Sequence, residues 1–82
     1  MMALGFSDSL ATDIINECKK RAKNPDHCVR TATFIAVAES TAGNKVTESN
    51  NVFGIEKGKF ASKKEAVEDW VTRYNRKWYK TT

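Results

Sequence analysis

Asn24-Pro25-Asp26-His27-Cys28-Val29-Arg30-Thr31-Ala32-Thr33-Phe34-Ile35-Ala36-Val37-Ala38-Glu39 reads as a helix that carries its own start signal. Asn24 offers a side-chain cap. Pro25 suits the first helical position because its missing amide proton would have no partner there and its ring presets φ. The segment then changes character, from mixed polarity over Asp26 to Thr33 into Phe34 to Ala38, which is apolar on every side and predicts an end buried all round. Glu39 follows at once, so its carboxyl is expected in poorly solvated surroundings that favour the protonated form.

Upstream, Lys23 and Asn24 leave room for only a tight turn. Before it, Leu10, Ile14, Cys18 and Ala22 recur every four residues, an apolar stripe that predicts a first helix from an N-cap at Ser7 to about Ala22. The two helices should lie as close antiparallel neighbours. Cys18 and Cys28 flank the turn, where a disulfide across the hairpin and a pair of buried free thiols both fit. The thiol reading has the edge, because unbridged cysteine is commonly a core residue.

Downstream, residues 40–59 are rich in Gly, Asn, Ser and Thr and predict a long loop with one short extended piece from Val52 to Ile55. Loops of this length in a small domain usually carry function, so the ligand face is expected here. Ser62 and Glu65 form a capping-box pattern that opens a third helix. Val67, Trp70, Val71, Tyr74 and Trp78 follow at spacings of three and four, a face wide enough to cover the hairpin.

The chain is 82 residues long, 40% hydrophobic and 29% charged, which suffices for one core and excludes a multidomain enzyme. It therefore predicts a single, mainly α domain over residues 1–82 with three principal helices. No apolar run is long enough to span a bilayer, and Met1 to Leu10 is too short and polar for a signal peptide. Export would use another route. The net charge of +4 favours anionic partners. The basic clusters, Lys19 to Lys23 and Arg73 to Lys80, fall at helix C-termini, where cations complement the dipole. Two cysteines without CxxC spacing and one histidine make no zinc quartet, so neither a metal nor a cofactor is expected.

Two strings on either side of the loop carry the chemistry. Ala38-Glu39-Ser40-Thr41-Ala42-Gly43 precedes it, and Asn50-Asn51-Val52-Phe53-Gly54-Ile55 lies within it. An apolar helix ending in Glu-Ser-x-x-Gly, then Asn-Asn-x-Phe-Gly-Ile, then Ser-x-x-Glu-Ala-Val-x-Asp-Trp resembles the glucosaminidase branch of the lysozyme-like hydrolases over Thr31 to Tyr79. That branch includes peptidoglycan hydrolases of bacteriophages and bacterial autolysins. The resemblance implies a lysozyme-like fold and a peptidoglycan glycan strand as substrate. It implies Glu39 as general acid, with Ser40, Asn50, Asn51, Phe53 and Gly54 around the cleft. It also implies a place in a phage virion or at the host cell wall or periplasm.

Glycosidases usually pair the acid with a second carboxylate about 5 to 9.5 Å away, for which Glu48 and Glu56 are the loop candidates. A single-acid route assisted by the substrate's N-acetyl group, or the transglycosylase route of related enzymes, needs no second one. The plainer reading of Glu39 is a solvent-facing carboxylate. For Asn50 and Asn51 it is turn capping, for Phe53 core packing and for Ser40 a turn cap. Only Glu56 to Ala61 separates the Asn-Asn-x-Phe-Gly string from the last helix, a shorter connection than the family's.

Two other functions compete. A non-catalytic lysozyme-like virion or adaptor subunit would bind other virion proteins, using aromatics among Trp70, Tyr74, Trp78 and Tyr79. A nucleic-acid module has only the basic and aromatic residues of the last helix in its favour, without a zinc, helix-turn-helix or single-strand-binding signature, so nucleic acid is not the expected partner.

Overall fold

The computed structural model describes residues 9–40, 49–55 and 57–77. Three helices, α1 (Leu10–Arg21), α2 (Pro25–Ser40) and α3 (Lys63–Lys77), make up its regular structure, with no strand among the described residues. The core is common to all three. α1 packs against both other helices, whereas α2 and α3 meet along a shorter seam.

Each helix follows its sequence signals, with small displacements. α1 starts at Leu10 with Ser9 at its N-cap position, later than Ser7 predicts; Ser7 lies outside the described residues. Its stripe of Leu10, Ile14 and Cys18 is buried. Pro25 opens α2, and the Asn24 side-chain oxygen accepts from the His27 amide at 3.4 Å. At the start of α3 the Ser62 hydroxyl accepts from the Glu65 amide at 3.2 Å. The reciprocal Glu65 bond goes to the Ala61 amide at 3.4 Å, one residue before the position a capping box uses. Trp78 and Tyr79 lie outside the described residues.

Cys18 and Cys28 are joined in a disulfide, with Cα atoms 5.7 Å apart, which overturns the free-thiol expectation. The tight turn sets both cysteines on the facing stripes of α1 and α2, within bonding range. Closing a loop with a sequence separation of 10 contributes about 3 kcal/mol through the unfolded chain.

The same turn is bolted to α3 by polar groups. Arg21 donates to the Glu68 carbonyl at 2.7 Å and to the Thr72 hydroxyl at 3.3 Å while pairing with the buried Glu17 at 2.8 Å. Asn75 accepts from the Lys23 amide at 2.9 Å and donates to the Arg21 carbonyl at 3.0 Å. Tyr74 donates its hydroxyl proton to the Asn24 carbonyl at 3.1 Å and lies 2.8 Å from His27 Nδ1. The Asn75 bonds satisfy the Arg21 carbonyl and the Lys23 amide, which the end of α1 leaves open.

The expected burial around the end of α2 is not found. Phe34 is 74% exposed and Val37 47% exposed, and Ala38 and Glu39 are exposed as well. The buried face of α2 is instead the small-residue stripe Cys28, Ala32, Ala36 and Ser40, spaced by four. Two partner helices cover that stripe but do not surround it, so an apolar run here does not mean burial on every side.

Burial raises the Tyr74 pKa above its ordinary value of 10.0, with Arg30 partly opposing the shift. The neutral phenol is thus the form the fold favours. The stability it contributes is complete below the unfolded pKa of about 10 and is lost as pH rises through the higher folded value. Urea unfolding across this alkaline range should show wild type losing stability more steeply than Tyr74→Phe. At neutral pH that variant should itself be weaker by about 1 to 2 kcal/mol, for the lost bond to Asn24. Parallel alkaline slopes would contradict the assignment.

Candidate functional site

The segment from Ser49 to Phe60 is tied at its base, with the Phe60 backbone amide donating to the Ser49 carbonyl at 2.8 Å and the Asn50 side-chain Nδ2 to the Phe60 carbonyl at 3.0 Å. Within it, Val52 to Ile55 forms a turn rather than the expected extended piece. Asn51 organises that turn. Its side-chain nitrogen donates to the Ile55 carbonyl at 2.6 Å and its oxygen accepts from the Ile55 amide at 2.9 Å. Both asparagines use their side-chain amides to shape the loop.

Val52 and Phe53 anchor the turn in the core, and the Phe53 ring stacks on Trp70 with centroids 5.4 Å apart. Trp70 stacks in turn on Tyr74 at 5.5 Å. The chain at Gly54 is consequently pressed toward the end of α2. Gly54 adopts φ +65°, and a Cβ built there would lie 2.6 Å from Glu39 Oε1 and 3.0 Å from its Cδ. The left-handed backbone favours glycine, and a side chain here would also have to push the exposed Glu39 carboxylate aside.

Glu39 is thus brought against Gly54, and the two strings singled out in the sequence meet in space. Among the described residues its carboxylate has no ion pair. It is exposed, so the apolar collar expected to favour its protonated form is absent. Ser40 is buried and its hydroxyl donates to the Ala36 carbonyl at 2.9 Å, a helix back-bond. Phe53 is a core residue. Glu48 and Glu56 lie outside the described residues.

A hollow of about 370 Å³ is lined by Ile35, Phe53, Ile55, Trp70, Arg73, Arg76 and Lys77, with neither Glu39 nor Gly54 in its lining. Ile35 stands one turn before Glu39 on α2, and Phe53 and Ile55 flank Gly54. The hollow has an apolar, aromatic floor and a cationic rim. Sequence reasoning assigned the three cations to the helix dipole and Trp70 to the core. Their spacing, with Trp70, Arg73 and Lys77 on one stripe of α3, was the available signal.

A larger depression of about 620 Å³ runs along the α1–α3 seam, lined by Glu17, Lys20, Arg21, Phe60, Glu65, Glu68, Asp69 and Thr72. It shares no lining residue with the surroundings of Glu39. Glu17 is locked by Arg21, and the remaining carboxylates make this seam acidic. The smaller hollow is therefore the better candidate despite its size. No group of three or more potential metal ligands occurs among the described residues, and no described helix is long and apolar enough to cross a membrane.

Compared with protein-family profiles, curated proteins and solved structures, the chain matches none.

The Glu39–Gly54 contact can be tested by a double-mutant cycle. Gly54→Ala should cost more than the 1 to 2 kcal/mol or so that a left-handed alanine costs by itself, because it also displaces the carboxylate. In a Glu39→Ala background the cost should fall to the backbone strain alone. Equal costs in the two backgrounds, measured by urea unfolding, would place Glu39 elsewhere.

Proposed function

We propose that this chain is a lysozyme-like domain that cleaves the glycan strand of peptidoglycan, with Glu39 as its general acid. The observation that carries the reading is the seating of the Glu39 carboxyl, without an ion pair among the described residues, on Gly54, whose chain neighbours Phe53 and Ile55 line a hollow of about 370 Å³. Two strings that resemble a glucosaminidase only when taken together are adjacent in the fold.

Protonated Glu39 donates its proton to the glycosidic oxygen as the bond from that oxygen to the anomeric carbon breaks. The carbonyl oxygen of the substrate's own 2-acetamido group can stabilise the developing cation. Water then completes hydrolysis, or an intramolecular hydroxyl gives an anhydro product as in the transglycosylase route. An exposed carboxyl is a weak acid catalyst in the free protein. The resemblance places such an activity in a phage virion or at the host wall.

One feature favours a second reading, a non-catalytic virion or adaptor subunit: Phe34 and Val37 present an open apolar face on α2. The two readings separate in one assay. Wild-type protein incubated with purified peptidoglycan should release soluble muropeptides detectable by mass spectrometry. Glu39→Gln should cut the rate by about 100-fold or more with an unchanged melting temperature. Equal release by both proteins would remove Glu39 from the mechanism, and no release by wild type would favour the adaptor reading.

A further inference from the structure

The outer face of the α1–α2 hairpin has no role in glycan cleavage, yet it gathers the apolar side chains that the core leaves out. Ile15, Phe34 and Val37, the exposed large hydrophobic residues among the described ones, all lie on these two helices. The Cys18–Cys28 bridge fixes the antiparallel register and sets Ile15 level with the turn from Val29 to Thr33. Ile15 there lines a hollow of about 300 Å³ with Lys19, Asp26, Val29 and Arg30, and no residue of α3 or the loop takes part in it. Phe34 stands one turn beyond Arg30 on α2, and Val37 about two turns beyond.

The face is cationic as well as apolar. Residues 27–38 of α2 carry no acid, and the exposed Lys19 and Arg30 have no ion pair among the described residues. Lys19 complements the dipole at the end of α1, but Arg30 stands inside α2, past the turn where a dipole acts. Asp26, in the first turn of α2, is the one acid lining the hollow. The Phe34 ring is 74% exposed, an open aromatic surface with a cation one turn away. A second copy of the chain would cover this face poorly. It would bring Lys19 and Arg30 against their own counterparts, on chains that each carry a net charge of +4.

We propose that this face docks the protein on an anionic phospholipid bilayer, with Ile15, Phe34 and Val37 entering the boundary between headgroups and acyl chains and Lys19 and Arg30 at the level of the phosphates. Apolar burial and attraction to anionic headgroups add, and each is small here, so docking is reversible and needs both. The hairpin lies on the surface, since no described helix is long and apolar enough to cross it. Phe34 and Glu39 point about 140° apart round α2, which keeps the Glu39–Gly54 contact on the side turned from the lipid. Docking is therefore independent of glycan cleavage.

The test is cosedimentation with large vesicles of equal parts phosphatidylglycerol and phosphatidylcholine, with phosphatidylcholine alone as the neutral counterpart. Wild type should partition onto the anionic vesicles about tenfold more strongly than onto the neutral ones, and the difference should shrink as salt is added. Phe34→Ser/Val37→Ser should lose about tenfold of that binding, and so should Lys19→Gln/Arg30→Gln. All four positions are exposed, and circular dichroism checks that both variants fold. Lys59→Gln/Lys64→Gln removes the same charge at exposed positions of the loop and α3, and should bind within about threefold of wild type. Equal partition onto the two kinds of vesicle, unchanged binding by either face variant, or an equal loss in the loop and α3 variant would overturn the docking face. Binding to neither vesicle would also overturn it and leave the face to a protein partner. So would a dimer in sedimentation equilibrium that Phe34→Ser/Val37→Ser dissociates, because the face would then belong to a second copy.

Discussion

The arrangement depends on one packing contact, the Phe53 ring stacked on Trp70 with centroids 5.4 Å apart. Trp70 sits mid-way along α3 and is itself stacked on Tyr74, whose hydroxyl reaches Asn24 at the start of α2. This chain of aromatic contacts joins the loop, the last helix and the hairpin turn. Because Phe53 is held in place, Gly54 has little freedom to move away from α2, and the Glu39 carboxylate occupies the space a side chain at position 54 would need. Truncating Phe53 would cost on the order of 3 to 5 kcal/mol, a large part of what a small domain has.

A chain this short can afford such a loop only because the rest is cross-linked. The Cys18–Cys28 disulfide restrains the hairpin, and Arg21, Tyr74 and Asn75 tie its turn to α3. Stability is concentrated at the turn end of the bundle. The opposite end, where α2 finishes, keeps Phe34, Val37 and Glu39 open to solvent. The chemistry proposed for this protein belongs to that open end, where a large ligand has access.

Most of the fold was legible in the sequence because periodicity and caps report local physics. The stripe of Leu10, Ile14 and Cys18, the Asn24-Pro25 start and the Ser62 cap each state where a helix lies and which way it faces. The end of α2 was misread because an uncharged run was taken for burial. The stripe Cys28, Ala32, Ala36 and Ser40 held the better information, since small residues every fourth position mark a close helix contact. The disulfide was not decidable, because two thiols separated by a turn can face each other or not. For Asn50 and Asn51 the sequence leaves turn capping and sugar contact both open, and the loop-shaping bonds to nearby backbone groups bear out the capping part. The pairing of Glu39 with Gly54 was implied by resemblance alone. It became a physical statement only through the tertiary contact.

The account places ligand recognition at the junction of the α2 end, the Gly54 turn and the last turns of α3. Nuclear magnetic resonance mapping of the isotopically labelled protein with a soluble N-acetylglucosamine oligomer tests this most directly, since it needs neither cleavage nor substitution. The account predicts that the amide shifts cluster at Ile35 to Glu39, at Phe53 to Ile55 and at Arg73 to Lys77. Shifts confined to the acidic seam of Glu17, Glu65 and Glu68, or no shifts at all, would contradict it.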